Sequence, residues 1–296
     1  QVQGDFKNAN LYCCLYNPGV SENIWESNAD NLKVFIEENR ATPYIQRMFD
    51  FDGEDYESLD FEDVYPKIIN KDNNILHQEM KIIKNRLEKK MVVTPEGEWE
   101  NAVDKYLVDI INGKKKSTSL EDADSCYYIK SYYTALIAGG VSKDYKKVAI
   151  ENISKQVKAQ KMDCFKSASI CNLELIPFAS QKKEDIKSNT KDIDKFKEFV
   201  VAIILSRIAK YYCEGGTEEP VFIFRSKSEW FKAIESFIKD DIDPQFEGIY
   251  QSELINFFFE FSSRNAMISQ SNIRKVINES DYQTKFLKGS GIRSKM

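Results

Sequence analysis

The longest apolar pattern in the chain covers 192–213, where apolar residues recur around the whole circumference of a predicted helix. Its apolar positions are Phe196, Phe199, Val200, Val201, Ile203, Ile204, Leu205, Ile208, Tyr211 and Tyr212. Because such a helix must be surrounded by other elements, we interpret 192–213 as the central core helix. The uninterrupted apolar run at 199–205 is far shorter than the ~20 residues that a bilayer requires, so the sequence predicts no membrane insertion.

Helical spacing of apolar residues predicts further helices over 28–39, 72–90, 98–112, 119–137, 142–157, 226–238 and 253–267. Short apolar runs bounded by turn residues predict strands over 11–16, 173–178 and 220–224. The aromatic run at 257–261 has too many consecutive apolar residues for one core, so part of it must meet a second surface. The predicted fold class is mainly α, a multi-helix globular protein with a few short strands.

A polar segment at 112–119, rich in residues that favour turns, is the best candidate for a domain boundary. It divides the chain into an N-terminal helical lobe over 1–116 and a C-terminal helical core lobe over 117–296. The N-terminal lobe includes an acidic loop at 50–63, which holds eight acids and no base. The sequence therefore predicts two helical lobes.

The chain contains an even number of cysteines, which are Cys13, Cys14, Cys126, Cys164, Cys171 and Cys213. Together with a numbering that begins at Gln1 rather than Met, they favour a mature secreted chain with its signal peptide removed and a disulfide framework. Adjacent Cys13 and Cys14 cannot comfortably bridge each other, so we expect one of them to reach Cys126 or Cys213. Cys164 and Cys171 are expected to pair locally. The alternative is an intracellular fragment with free, mostly buried thiols.

The formal net charge of −5, from 47 acids and 42 bases, argues against nucleic acid or an anionic membrane as the main partner. A local basic patch is compatible with this total. The chain has one histidine, His77, so catalysis that relies on histidine has no other candidate. The position of His77 near the apolar stripe of a predicted helix favours a partly buried structural residue over a catalytic one.

Motifs for cofactors, metals and nucleophiles are incomplete in this chain. The segment at 113–118 resembles the end of a phosphate-binding loop, but Val108 stands where the first glycine is needed. The acidic loop lacks the bidentate glutamate of a calcium site, since Phe61 occupies its position. The chain has no CxxC motif and no histidine pair of the kind that marks a zinc site. We therefore predict no cofactor, no metal site and no catalytic residue set.

The chain has 19 Phe, 15 Tyr and 3 Trp. Two aromatic clusters could line an apolar pocket or anchor an interface, and their candidate residues are Tyr128, Tyr132, Phe257, Phe258 and Phe259. Ordinary core packing is the alternative, because these aromatics fall at helical spacing.

The start QVQGDF, the segment LYCCLYNPG with Cys13 and Cys14, and the following IWES through Trp25 and Ser27 resemble the mature secreted proteins of the mosquito 34-kDa salivary family. The mass of 34.3 kDa agrees with this resemblance. The resemblance implies a salivary protein that acts during blood feeding by binding a host or insect extracellular protein. It transfers no functional residues, because no family motif can be placed along the rest of the chain.

Three hypotheses of function follow. The first is a secreted, non-enzymatic factor that binds another protein. The second is an extracellular carrier whose helices enclose a lipid or another apolar ligand. The third is a hydrolase that uses paired carboxylates, which a cleft with two acids of shifted pKa would support. The absence of a recognisable catalytic set favours the first hypothesis.

Overall fold

The structure is a computed structural model that describes residues 2–16, 69–70, 74–91, 99–112, 126–140, 143–176, 191–214, 218–241, 253–276 and 289–292. The helix predicted over 28–39 and the acidic loop at 50–63 lie outside these residues. Most of the predicted boundary at 112–119 also lies outside them, and the division into two lobes stays a prediction.

A sheet with seven strands among the described residues forms the middle layer. Its strands are β1 (Val2–Gln3), β2 (Leu11–Leu15), β3 (Ile69–Asn70), β4 (Ile170–Glu174), β5 (Val221–Phe224), β6 (Phe258–Phe261) and β7 (Ile273–Lys275). The spatial order is β3-β1-β4-β2-β5-β6-β7. The inner strands β4, β2, β5 and β6 are all parallel, whereas β1 and β7 run antiparallel to their inner neighbours. The predicted mainly α fold class is therefore wrong.

Helices cover both faces of this sheet. They are α1 (Ile75–Met91), α2 (Trp99–Asn112), α3 (Thr134–Ile137), α4 (Tyr145–Lys158), α5 (Lys191–Cys213) and α6 (Lys227–Asp241). Buried side chains of α1 to α4 pack on one face, called the first face below. Those of α5 and α6 pack on the opposite, second face. A π-helical segment, Ile129–Tyr133, runs directly into α3 on the first face.

The order of the parallel strands explains this division of the helices. The connection from β2 to β4 steps in one direction along the sheet, while those from β4 to β5 and from β5 to β6 step in the other. Because crossovers between parallel strands are right-handed, connections that step in opposite directions place their helices on opposite faces. The direction changes at β2, which is therefore the topological switch point of the sheet.

The central strands β2 and β5 contain no charged or amide residue, because both of their faces are covered by helices. The strands predicted over 11–16 and 220–224 are confirmed as β2 and β5, and the one predicted over 173–178 begins three residues earlier as β4. The helix predicted over 253–267 is wrong, since its centre forms β6. Phe258 packs on the second face and Phe259 on the first, which confirms that the aromatic run meets two surfaces.

The helix α5 does not lie at the centre of the fold. It packs on the second face beside α6, with one side against the sheet and one side in solvent. Tyr212, predicted to be part of its buried circumference, is 55% exposed. Arg207 of α5 is buried and donates from Nε to Ala9 O at 3.0 Å and from Nη2 to Glu218 O at 2.7 Å. These bonds fasten α5 to the segments that enter β2 and β5.

Candidate functional site

The carboxyl ends of the four parallel strands meet at one edge of the sheet. The switch point lies at this edge, where β2 ends between β4 and β5. In open α/β sheets, connections that leave toward opposite faces at a switch point usually open a crevice there. In open sheets of parallel strands, ligands bind in this crevice.

Side chains on the first face form a row along the carboxyl ends of the parallel strands. Leu15 pairs with Glu174 of β4, and the backbone N–H of Arg225 extends the ladder by donating to Cys14 O at 2.8 Å. Because side chains alternate along a strand, Arg225 faces away from Phe224 and lies on the first face. Its guanidinium carbon lies 5.9 Å from the ring centre of Phe261, at the end of β6.

The positive charge of Arg225 has no ion pair with any described residue. Its Nη1 atom is buried and makes no hydrogen bond within the described part of the chain. Two neighbouring cations, in contrast, are paired with an acid. Glu260 lies 2.7 Å from Lys227 Nζ and 2.8 Å from Arg274 Nη2. Among the described residues at this edge, Arg225 is therefore a cation whose charge no acid of the fold pairs.

The turn between β5 and α6 adds a second feature that favours anions. Ser226 has a φ of 56°, in the left-handed region that residues other than glycine seldom adopt. Its carbonyl accepts the N–H of Glu229 at 3.0 Å, and α6 begins at the next residue. The N–H groups of the first helical turn and the helix dipole favour negative charge there.

Tyrosines of the π-helical segment and the residues before it cover the first-face side of the edge. Tyr128 donates from its hydroxyl to Glu174 Oε1 at 2.9 Å, and its ring lies 5.7 Å from that of Tyr132. Tyr132 meets Phe261 edge to face at 6.1 Å. A π-helical turn is rare and occurs frequently at functional sites. We refer to Glu174, Arg225, Phe261, Tyr128 and Tyr132 as the carboxyl-edge site.

The layer below the carboxyl-edge site is buried and hydrogen-bonded. Tyr133 donates from its hydroxyl to Asn172 Oδ1 of β4. Burial raises the pKa of the Tyr132 and Tyr133 hydroxyls and of the Cys13 thiol, although a hydrogen bond from Tyr133 and the charge of Arg225 partly oppose the shift at Cys13. Cys13 thus stays protonated and is not an activated nucleophile.

The structure separates the predicted aromatic set. Tyr128 and Tyr132 belong to the carboxyl-edge site. Phe258 packs on the second face at 5.0 Å from Phe224, and Phe257 lies 5.6 Å from Tyr211. Phe259 lies in the first-face core. The five aromatics therefore do not form one pocket, and the core-packing alternative holds for the three phenylalanines.

None of the six cysteines forms a disulfide, so the predicted disulfide framework is wrong. Cys164 packs against the first-face core, whereas Cys171 lies inside β4 on the second face, so the sheet separates this predicted pair. Cys13 and Cys14 are completely buried on opposite faces of β2, and Cys213 is exposed at the end of α5. Cys126 donates to Glu79 O at 3.7 Å. The arrangement agrees with the alternative of buried thiols.

Other candidate chemistry lies away from this edge. His77 is buried in α1, with Nε2 3.8 Å from Asp163 Oδ1, as a structural residue would be. Among the described residues there is no group of three or more His, Cys, Asp or Glu side chains that could hold a metal ion. No helix in the described ranges is long and apolar enough to cross a membrane.

The sequence reasoning missed Glu174 and Arg225, and it included Phe261 only as part of the aromatic run at 257–261. A signal for the two polar residues exists, because each of them ends a short apolar run that forms a strand. For Arg225, the capping serine follows at once, so the strand, the arginine and the helix start stand together in the sequence. What the sequence does not indicate is which strands are neighbours.

Comparisons of the chain with family models, with curated proteins and with solved structures find no match. The functional argument therefore depends on the geometry alone.

Proposed function

We propose that the protein binds a small ligand that carries a phosphate or carboxylate group, at the carboxyl-edge site. The observation that carries this proposal is the position of Arg225, whose charge is unpaired among the described residues and lies beside the switch point. An arginine fork binds either group with two parallel hydrogen bonds.

The surroundings of Arg225 support an anion with an apolar or planar part. The first turn of α6 follows Arg225 directly in the chain. The guanidinium lies over the ring of Phe261, and Tyr132 meets that ring edge to face. Phenyl phosphate combines a ring with a phosphate and is a suitable minimal probe, and benzoate is the corresponding carboxylate.

Calorimetric titration of the full chain with phenyl phosphate and with benzoate tests the proposal. We expect binding of at least one probe, and a loss of about tenfold or more in affinity for Arg225→Gln, because a charged hydrogen bond contributes about 1.5–3 kcal/mol. Arg225→Lys keeps the charge but loses the two-pronged guanidinium. Its affinity should lie between that of the unmodified protein and that of Arg225→Gln.

The matched control is Lys239→Gln, at the opposite end of α6, which removes the same charge from an exposed position. Its affinity should equal that of the unmodified protein. Circular dichroism and thermal unfolding check that each variant is folded. Equal affinity of the Arg225→Gln and Lys239→Gln proteins, or no binding of either probe at millimolar concentration, would refute the proposal.

The functions predicted from sequence stay predictions. No contact among the described residues bears on a secreted factor for blood feeding, on its host or insect partner, or on secretion itself. The carrier and the carboxylate-dependent hydrolase likewise remain alternatives. A hydrolase of this kind would need two carboxylates. The carboxyl-edge site contains one buried acid, Glu174, which accepts a hydrogen bond from the Tyr128 hydroxyl.

A further inference from the structure

A basic surface lies on the outer side of the first-face helices, separate from the carboxyl-edge site. Residues 143–166 contain seven lysines and three acids, a local excess of four positive charges in a chain whose net charge is −5. The lysines are Lys143, Lys146, Lys147, Lys155, Lys158, Lys161 and Lys166. The total charge of the chain therefore hides a patch of opposite sign.

Five of these lysines line an open groove between α2 and α4, with a volume of about 1160 Å³. We call it the lysine groove and define it by Lys143, Lys146, Lys147, Lys155, Lys158 and Tyr145. From 143 to 158 the positive charges extend over about 20 Å, at the rise of 1.5 Å per helical residue.

Some of the lysine charges are already matched by acids and others are not. Lys158 Nζ lies 3.3 Å from Asp104 Oδ2 across the groove, and Lys147 Nζ lies 4.0 Å from Glu151 Oε1. Lys143, Lys146 and Lys155 are exposed and have no ion pair within the described part of the chain. The hydroxyl of Ser154 donates to Asp104 Oδ1 at 2.6 Å, which further satisfies the acid in the groove wall.

We propose that the lysine groove binds the phosphate backbone of a single-stranded nucleic acid. A single-stranded nucleic acid presents phosphates at short, regular intervals. A row of lysines along α4 and the residues just before it can contact several of these phosphates. Tyr145 lines the same groove, half-buried, and can stack a base, as aromatic residues do in grooves that bind single strands. An acidic protein segment would use the lysines, but its carboxylate side chains have no base-like ring to stack on the tyrosine.

Fluorescence anisotropy of a labelled oligothymidylate of about 16 nucleotides tests the proposal on the full chain. We expect binding at low salt, with an affinity that falls as salt rises because the lysines release counterions from the phosphates. The triple variant Lys143→Gln, Lys146→Gln, Lys155→Gln should lose affinity on the order of a hundredfold. The same variant should reduce the magnitude of the slope of log K against log salt concentration by about 2. Each lysine–phosphate contact contributes about 0.7 to this slope, and the variant removes three lysines.

The matched control is the triple variant Lys7→Gln, Lys81→Gln, Lys239→Gln, which has the same net charge and changes exposed lysines outside the groove. It should bind like the unmodified protein. Tyr145→Leu should weaken binding about fivefold or more without changing the salt slope, since stacking is not electrostatic. Thermal unfolding confirms that each variant folds.

Three results would overturn the proposal. The first is the absence of binding at low salt, and the second is an equal loss in both triple variants, which would show only a response to net charge. The third is polyglutamate binding as tightly as the oligonucleotide, with Tyr145→Leu unchanged, which would assign the groove to an acidic protein. None of these results depends on whether phenyl phosphate or benzoate binds at Arg225.

Discussion

The carboxylate of Glu79 in α1 accepts the backbone N–H of Tyr128 at 2.8 Å. Its other oxygen accepts the N–H of Ile129 at 2.6 Å. Glu79 thus caps the start of the helix that contains the π-helical segment, from a position 49 residues earlier in the chain. Because the first N–H groups of a helix have no partner inside it, this buried acid satisfies two of them. It also fixes the tyrosines of the carboxyl-edge site.

We expect Glu79→Gln to lower the free energy of unfolding by about 1–3 kcal/mol, because the amide loses one acceptor and the charge of both hydrogen bonds. Urea unfolding followed by circular dichroism measures the change. Glu88→Gln in the same helix is the control. Glu88 is exposed and, within the described ranges, pairs only with Lys84, at 3.6 Å, so the change should be below about 0.5 kcal/mol. Equal effects of the two substitutions would contradict the capping role.

The thiols should differ in their reaction with Ellman's reagent. Cys213 is exposed and should react promptly in the folded protein, while half-buried Cys164 should react slowly. Cys13, Cys14 and Cys171 are completely buried and should be unreactive, since burial also raises their pKa and suppresses the thiolate. We expect Cys213→Ser to remove the prompt phase.

In denaturant without reductant, all six cysteines should titrate as thiols. Fewer than six would reveal a disulfide and would restore the framework predicted from the sequence. Intact mass before and after reduction provides an independent check, because each bridge that is reduced adds two hydrogens.

Alkaline pH should destabilise the protein. Burial raises the pKa of Cys13, Cys14, Cys171 and the hydroxyls of Tyr12, Tyr132 and Tyr133 above their ordinary values of 9.0 for cysteine and 10.0 for tyrosine. Above about pH 9 the unfolded chain releases protons that the folded chain retains. The contribution of these groups to the free energy of unfolding is therefore fully present below their ordinary pKa values. It falls as the pH rises past those values.

Urea midpoints between about pH 7 and pH 11 measure this effect, with up to about 1.4 kcal/mol lost per pH unit for each group that titrates only when unfolded. Tyr12→Phe removes one such group and should make the decline less steep. Its lost hydrogen bond to Phe6 O, 2.8 Å long, lowers stability at every pH without changing the slope. A stability that is constant to about pH 11 would contradict the prediction.

Part of the fold could be predicted from local patterns. The helices α1, α2, α4, α5 and α6 and the strands β2 and β5 follow from periodicity and from flanking turn residues. The strand β6 could not be predicted in this way, because a strand covered on both faces is continuously apolar and Phe258 and Phe259 fit a helix as well as a strand.

The candidate site was predicted only in part. Tyr128 and Tyr132 stand out as part of an aromatic cluster, but Arg225 is one of many basic residues until the strand order places it beside the switch point. The predicted disulfide pairs are wrong for a related reason. The spacing of Cys164 and Cys171 suggests proximity, while the sheet that separates them consists of strands from distant parts of the chain.

By itself, the sequence determined the local elements and a large buried core, because periodicity and caps act over a few residues. It also indicated that the aromatic run at 257–261 needs two surfaces. Tertiary structure alone decided that a sheet and not α5 occupies the centre, that Cys13 and Cys14 face opposite layers, and that Glu79 caps a distant helix. These features depend on contacts between segments far apart in the chain, and the pattern within a segment does not specify its neighbours.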